Sequence, residues 1–187
     1  MPSAIHNFML RGFNVTIPNW LSASRYIMAP FICMAILTNA WSLATSLYLL
    51  AIITDFLDGW LARKLRSVPA RGGLLDHSAD AFVVAAVLGT LSYLQLIPWI
   101  LPVFLLMAFA QYVLDSNALQ GKNLKTNQLG RYNGIGYYLL AVVPLVQNSA
   151  GWELFPAPTV YYLGWGLFLT TLISMLDRAV LLWREVK

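Results

Sequence analysis

The stretch whose reading decides the fold is Thr54–Asp80, TDFLDGWLARKLRSVPARGGLLDHSAD. Long apolar runs flank it on both sides. The 187-residue chain holds only 8 acidic residues, and Asp55, Asp58, Asp76 and Asp80 all fall inside this stretch. Arg63, Lys64, Arg66 and Arg71 stand among them. A carboxylate close to hydrocarbon costs about 3 kcal/mol. Four of them in one place require a compensating partner.

The rest of the chain sets that environment. Hydrophobic residues make up 59% and charged residues 11%, with a mean hydropathy of +0.65. A soluble domain carries about a quarter charged residues, so the composition points to an integral membrane protein of one domain, residues 1–187. Cys33 is the single cysteine, so no intrachain disulfide is available. The first dozen residues lack a compact apolar core with a small-residue cleavage site, so no cleavable leader is expected. The net charge of +4 does not point to nucleic acid, because the basic residues are spread along the chain at span ends. It reads as topology and attraction to anionic lipid.

About 20 apolar residues cross a bilayer as a helix. Six segments qualify, at roughly 19–37, 42–61, 73–94, 99–119, 129–146 and 160–183. The connections near Asn39, Gln95–Pro98 and Gln147–Pro158 carry no Lys or Arg. With the N-terminus in the cytoplasm, all 12 Lys and Arg fall on or near the cytoplasmic side. Five or seven spans would break that sorting. The expected fold is therefore all-α, a bundle of six transmembrane helices with both termini cytoplasmic. The first 18 residues are too short and broken to span, and a short N-terminal interfacial helix is expected there.

Asp55 and Asp58 are three apart at the end of the second span. Asp76 and Asp80 are four apart at the start of the third. Each spacing puts one pair on one helix face, and a short connection is expected to make the two helices antiparallel neighbours. The two pairs then converge at the cytoplasmic edge. Four converging carboxylates stay ionised only if cations neutralise them. An all-oxygen donor set favours hard ions such as Mg²⁺ or Mn²⁺, and four carboxylates suit two ions sharing a ligand. Gly59, Ala62 and Gly72 leave room for a ligand to approach the backbone. Arg63 can pair bidentately with a phosphate. Together these features describe a site for a pyrophosphate-bearing nucleotide.

The spacing Asp55-x-x-Asp58-Gly59-x-x-Ala62-Arg63, eight residues, Gly72-x-x-x-Asp76-x-x-x-Asp80 resembles the signature of the CDP-alcohol phosphatidyltransferases at every fixed position. The resemblance implies a metal-dependent enzyme of the bacterial inner membrane, with its active site at the cytoplasmic face. Such an enzyme transfers a phosphatidyl group from CDP-diacylglycerol to an alcohol and releases CMP. It implies that Asp55, Asp58 and Asp76 bind two divalent cations, and that Asp80 is the general base, touching the second ion. Asp58, Gly59, Ala62, Arg63 and Gly72 would hold the CDP moiety. A homodimer is also implied.

The entry to the first span, IPNWLSASRY, and the segment GKNLKTNQLGRYNG are similar to those of small bacterial phosphatidylglycerophosphate synthases and related cardiolipin synthases. That makes glycerol 3-phosphate the first-choice acceptor, with cardiolipin synthesis or an acceptor such as inositol phosphate as the alternative. His77 and Ala81 depart from that branch, which follows the third aspartate with Pro and the fourth with Lys. Acceptor-contacting candidates are Lys125, Arg131, His77 and Arg25. Each has a plainer reading: a headgroup anchor for Lys125 and Arg131, an interfacial histidine for His77, and a snorkelling side chain for Arg25. Arg25 also has a reading near the CDP phosphates. Lys122 and Arg178 read first as anchors, and Asp115 and Asp177 as span-end partners of nearby cations. A divalent-cation transporter is the remote alternative, but it expects carboxylates near the bilayer middle and has no use for Arg63.

Overall fold

A computed structural model describes residues 17–64, 70–115 and 128–185. They form six α-helices and, among the described residues, no strand. The helices are α1 (Ile17–Leu37), α2 (Trp41–Lys64), α3 (Ala70–Tyr93), α4 (Ile100–Asp115), α5 (Gln128–Ala150) and α6 (Ala157–Glu185). Each matches one expected span to within a few residues. The exception is the end of the fourth, where positions 116–119 lie outside the described residues; of the first 18 residues, where an interfacial helix is expected, positions 1–16 lie outside them too, and Ile17 and Pro18 open α1.

Three of the connections are built alike. Asn39, Gln95 and Gly151 each follow a helix with positive φ, at 59°, 60° and 67°. The next amide in each case reaches back five residues: Ala40 N to Ala35 O at 2.8 Å, Leu96 N to Leu91 O at 3.0 Å and Trp152 N to Gln147 O at 3.2 Å. These are Schellman closures, which satisfy carbonyls that the helix end leaves orphaned. They reverse the chain tightly, so α1 and α2, α3 and α4, and α5 and α6 form hairpins with their turns at one end.

The helices pack as a ring in the order α1, α2, α5, α6, α4, α3, with α3 also touching α5 across it. Inward faces follow helical spacing. Ala29, Ile32 and Ile36 are buried on α1, Ala44, Tyr48 and Ala51 on α2, and Val83, Val84, Val87, Leu88 and Leu91 on α3. One expectation is corrected. Among the described residues, α2 and α3 make little direct contact, and both pack along α1 instead.

Among the described residues one helix, Pro158–Leu181, is long and apolar enough to cross a membrane. Ser22–Leu37, Trp41–Leu57 and Ile100–Asp115 are shorter apolar segments. The carboxylates of α2 and α3 interrupt those helices' apolar character, and the site is built at those interruptions.

Candidate active site

The acidic residues continue the inward stripes. Asp55 follows Ala44, Tyr48 and Ala51 at the next helical interval on α2. Asp76 and Asp80 precede Val83, Val84 and Val87 on the same face of α3. Arg25 precedes Ala29, Ile32 and Ile36 on α1. At 1.5 Å per residue, Asp55 lies about 13 Å before the end of α2, Asp80 about 15 Å beyond the start of α3, and Arg25 about 12 Å into α1. Four ionisable groups therefore meet where the apolar core ends, about a third of the way along the bundle.

Asp55, Asp76 and Asp80 each offer one carboxylate oxygen, and these atoms all lie within 4.8 Å of one another. Arg25, only 1% exposed, reaches all three. Its Nη1 donates to Asp55 Oδ1 at 2.6 Å and to Asp80 Oδ1, and its Nη2 donates to Asp76 Oδ1 at 2.5 Å. Ser22 Oγ donates to the same Asp76 oxygen at 3.1 Å. Tyr26 Oη donates to Ser78 Oγ at 2.7 Å. Ser22, Arg25 and Tyr26, spaced at three and four residues, thus form the polar face that α1 presents to α3. Asp80 is the least exposed of the three carboxylates, at 21% against 27% and 33%.

The triad fits a hard divalent ion. Oxygens ligating Mg²⁺ at 2.0–2.1 Å stand at most about 4.2 Å apart across the ion, so a small closure of the triad brings it to that spacing. Every donor is an oxygen.

A cavity of about 660 Å³ opens beside the triad, lined among the described residues by α2 to α6 and not by α1. Asp55, Asp76, His77 and Asp80 form one wall, and Arg131, Asn133, Tyr138, Thr171, Ser174 and Arg178 form others. Arg178 Nε donates to Asp115 Oδ2 at 3.2 Å, and its guanidinium lies 5.0 Å from the Tyr112 ring centre. Asn133 is buried and lends its Oδ1 to Thr170 at 2.9 Å. Its Nδ2 and Gln111 Oε1 are buried with no hydrogen-bond partner among the described residues. The wall is thus apolar with a few polar groups and two arginines, as in a site for a small polar molecule.

Of the expected site residues, Asp55, Asp76 and Asp80 come together, with His77 at the rim, 49% exposed, its Nδ1 3.9 Å from Asp76 Oδ2. Arg131 is exposed on the cavity wall. Asp58, Gly59, Ala62 and Arg63 lie on α2 and Gly72 on α3, with their side-chain environments outside the described residues, as is Lys125 altogether. Arg178 pairs with Asp115, which accords with a span-end ion pair, and it also lines the cavity. The sequence reading missed Ser22, Tyr26, Asn133 and Thr171. The first two share the helical spacing of Arg25. The last two look like ordinary polar residues of apolar helices and carry no local signal.

The sequence profile of the CDP-alcohol phosphatidyltransferases matches residues 15–179. The chain is 25% identical, over 91% of its length and 81% of the relative's, to CDP-diacylglycerol–glycerol-3-phosphate 3-phosphatidyltransferase 2 of Arabidopsis thaliana. It is 39% identical to the enzyme of the same name from Cereibacter sphaeroides, over 50% of this chain and 45% of the relative. It is 37% identical to cardiolipin synthase (CMP-forming) of Homo sapiens, over 44% of this chain and 28% of the relative. The alignments to the bacterial and human proteins thus span less than half of those chains.

Proposed function

The chain belongs to the CDP-alcohol phosphatidyltransferase family, and from that premise we propose that it transfers a phosphatidyl group from CDP-diacylglycerol to glycerol 3-phosphate, releasing CMP. The observation that carries the proposal is the meeting of Asp55, Asp76 and Asp80 from two helices at the wall of a polar-lined cavity. In this reading Asp55, Asp58 and Asp76 hold two divalent cations, Mg²⁺ or Mn²⁺, with Asp80 touching the second. When bound, the ions offset the charge of the pyrophosphate and of the departing CMP.

The chain's own residues do the rest. Asp80, the least exposed of the three clustered carboxylates, accepts the proton of the acceptor hydroxyl. The hydroxyl oxygen bonds to the lipid-side phosphorus, and the bond from that phosphorus to the bridging oxygen breaks, so the electron pair leaves with CMP. Asp58, Gly59, Ala62, Arg63 and Gly72 receive the CDP moiety, with small residues at its backbone and a guanidinium fork on phosphate. Arg131 and Arg178 stand on the cavity wall nearer the helix ends, where they attract the phosphate of the acceptor. Lys125 and His77 are further candidates for contact with the acceptor. Catalysis is then mainly positioning and electrostatic stabilisation.

The reading places the bundle in a bacterial inner membrane with this site at the cytoplasmic edge. Helices of 21 to 29 residues (α4 excepted) suffice in length. Only 22% of the apolar stretch in Pro158–Leu181 is buried, unlike the core helix of a soluble protein. Phe31, Phe56 and Leu114 are 63%, 68% and 65% exposed, and a soluble monomer avoids broad apolar surface of this kind.

A second reading, cardiolipin synthesis with phosphatidylglycerol as acceptor, is favoured by the likeness to cardiolipin synthase. The test is to offer purified protein CDP-diacylglycerol with glycerol 3-phosphate, phosphatidylglycerol or inositol phosphate, and to identify the lipid formed. Phosphatidylglycerophosphate as the main product is expected. Cardiolipin as the sole product would move the assignment to the second reading.

A further inference from the structure

Arg25 sits where the three carboxylates converge. A single nitrogen, Nη1, takes hydrogen bonds to both Asp55 and Asp80, and its neighbour Nη2 takes Asp76. The Oδ1 atoms of all three residues point at this one guanidinium. The guanidinium occupies the Oδ1 atoms through which the three carboxylates would ligate a divalent ion. An isolated arginine at this depth is costly, and so are three facing carboxylates without a counter-charge. Each solves the other's problem while no ion is bound. The cavity approaches the triad from α2 to α6, and Arg25 reaches it from α1, on the side the cavity does not line.

We propose that Arg25 is the resident counter-cation of the metal-free triad and that a divalent ion binds by displacing its guanidinium. Arg25 is then a positioning residue. It holds the carboxylates convergent before loading, and it competes with the ion for the same oxygens. This inference rests on the metal reading of the triad proposed above. It assigns Arg25 a role that differs from both acceptor contact and snorkelling.

Competition predicts a sign. Removing the competitor tightens ion binding, whereas removing a clamp that merely orients ligands loosens it. The test is Mn²⁺ titration, read by electron paramagnetic resonance, of the full-length wild type and Arg25→Gln, with thermal unfolding in EDTA and in saturating Mn²⁺. The variant is expected to bind Mn²⁺ about tenfold more tightly, within the range usual for coupled sites. It is also expected to unfold at lower temperature than wild type in EDTA and to recover most of that loss with Mn²⁺. Equal or weaker Mn²⁺ binding by the variant overturns the inference and leaves the metal reading standing. No Mn²⁺ binding by either protein overturns the metal reading and this inference with it. Should Arg25→Gln not fold, the wild type labelled with ¹⁵N-arginine decides the matter, with Arg25→Lys used to assign the signal. The Nη protons of Arg25 are expected to be protected from exchange in EDTA and to lose protection on saturation with Mg²⁺. Protection that persists contradicts displacement.

Discussion

At one end of the bundle Asn39, Gln95 and Gly151 close three helices in the left-handed conformation, and none of the three connections carries Lys or Arg. At the other end stand Arg25, the three carboxylates and the Arg178–Asp115 pair. The first end satisfies its backbone with short local hydrogen bonds and needs nothing from outside. The second brings charge to the edge of the apolar core and balances it between helices. The contrast teaches how a small all-helical chain divides stability from chemistry. Hairpin closures fix which helices are neighbours, and this leaves the opposite helix ends to carry groups that would be expensive anywhere else.

That division can be broken at the charged end first. Asp76→Asn is expected to lower CMP release by at least about a hundredfold, beyond the 10–100-fold typical of residues that only support a metal ligand. The helical content by circular dichroism should stay unchanged. Loss of helix along with activity would mean that the triad is structural. EDTA is expected to bring wild-type activity to background, with Mg²⁺ or Mn²⁺ restoring it, and full activity of metal-free protein in chelator would remove the ions from the account.

Smaller effects fall on stability. Gly164→Ala is expected to destabilise by about 1–3 kcal/mol, because a Cβ there would stand 2.5 Å from Pro98 Cδ. Denaturant unfolding checks this, and activity per folded molecule should hold. Asp115→Ala removes a partner from Arg178 where both side chains are 13% exposed, and a loss of about 1–2 kcal/mol is expected. Its KM for the acceptor should rise, since Arg178 lines the cavity. The smallest change is Gln95→Gly, which relieves a positive φ of 60° and is expected to stabilise by up to about 1 kcal/mol. A gain in stability without any change in turnover is what the separation of the two ends requires.

Much of this was legible from residue spacing. The six helices followed from the lengths of the apolar runs and from where the charged and turn-forming residues interrupt them. Asp55, Asp76 and Asp80 were legible because their intervals of three and four place carboxylates on one helix face. Two features were not. The packing of α2 and α3 along α1 is a three-dimensional choice that spacing along the chain does not decide. The role of Arg25 was half visible. An arginine in an apolar run needs an anion, but which anion depended on α1 lying between the two acidic helices. Asn133 and Thr171 gave no sign at all, because polar residues on apolar helices look the same whether they line a cavity or bridge a neighbour.

The central claim is that the carboxylate triad performs phosphatidyl transfer with Asp80 as its base. Asp80→Asn tests it most directly, with CDP-diacylglycerol binding and CMP release measured on the same preparation in saturating Mg²⁺ with glycerol 3-phosphate. Binding within a few-fold of wild type together with CMP release lowered by about 10²–10⁴ is the predicted result. Near-normal CMP release from the variant would contradict it.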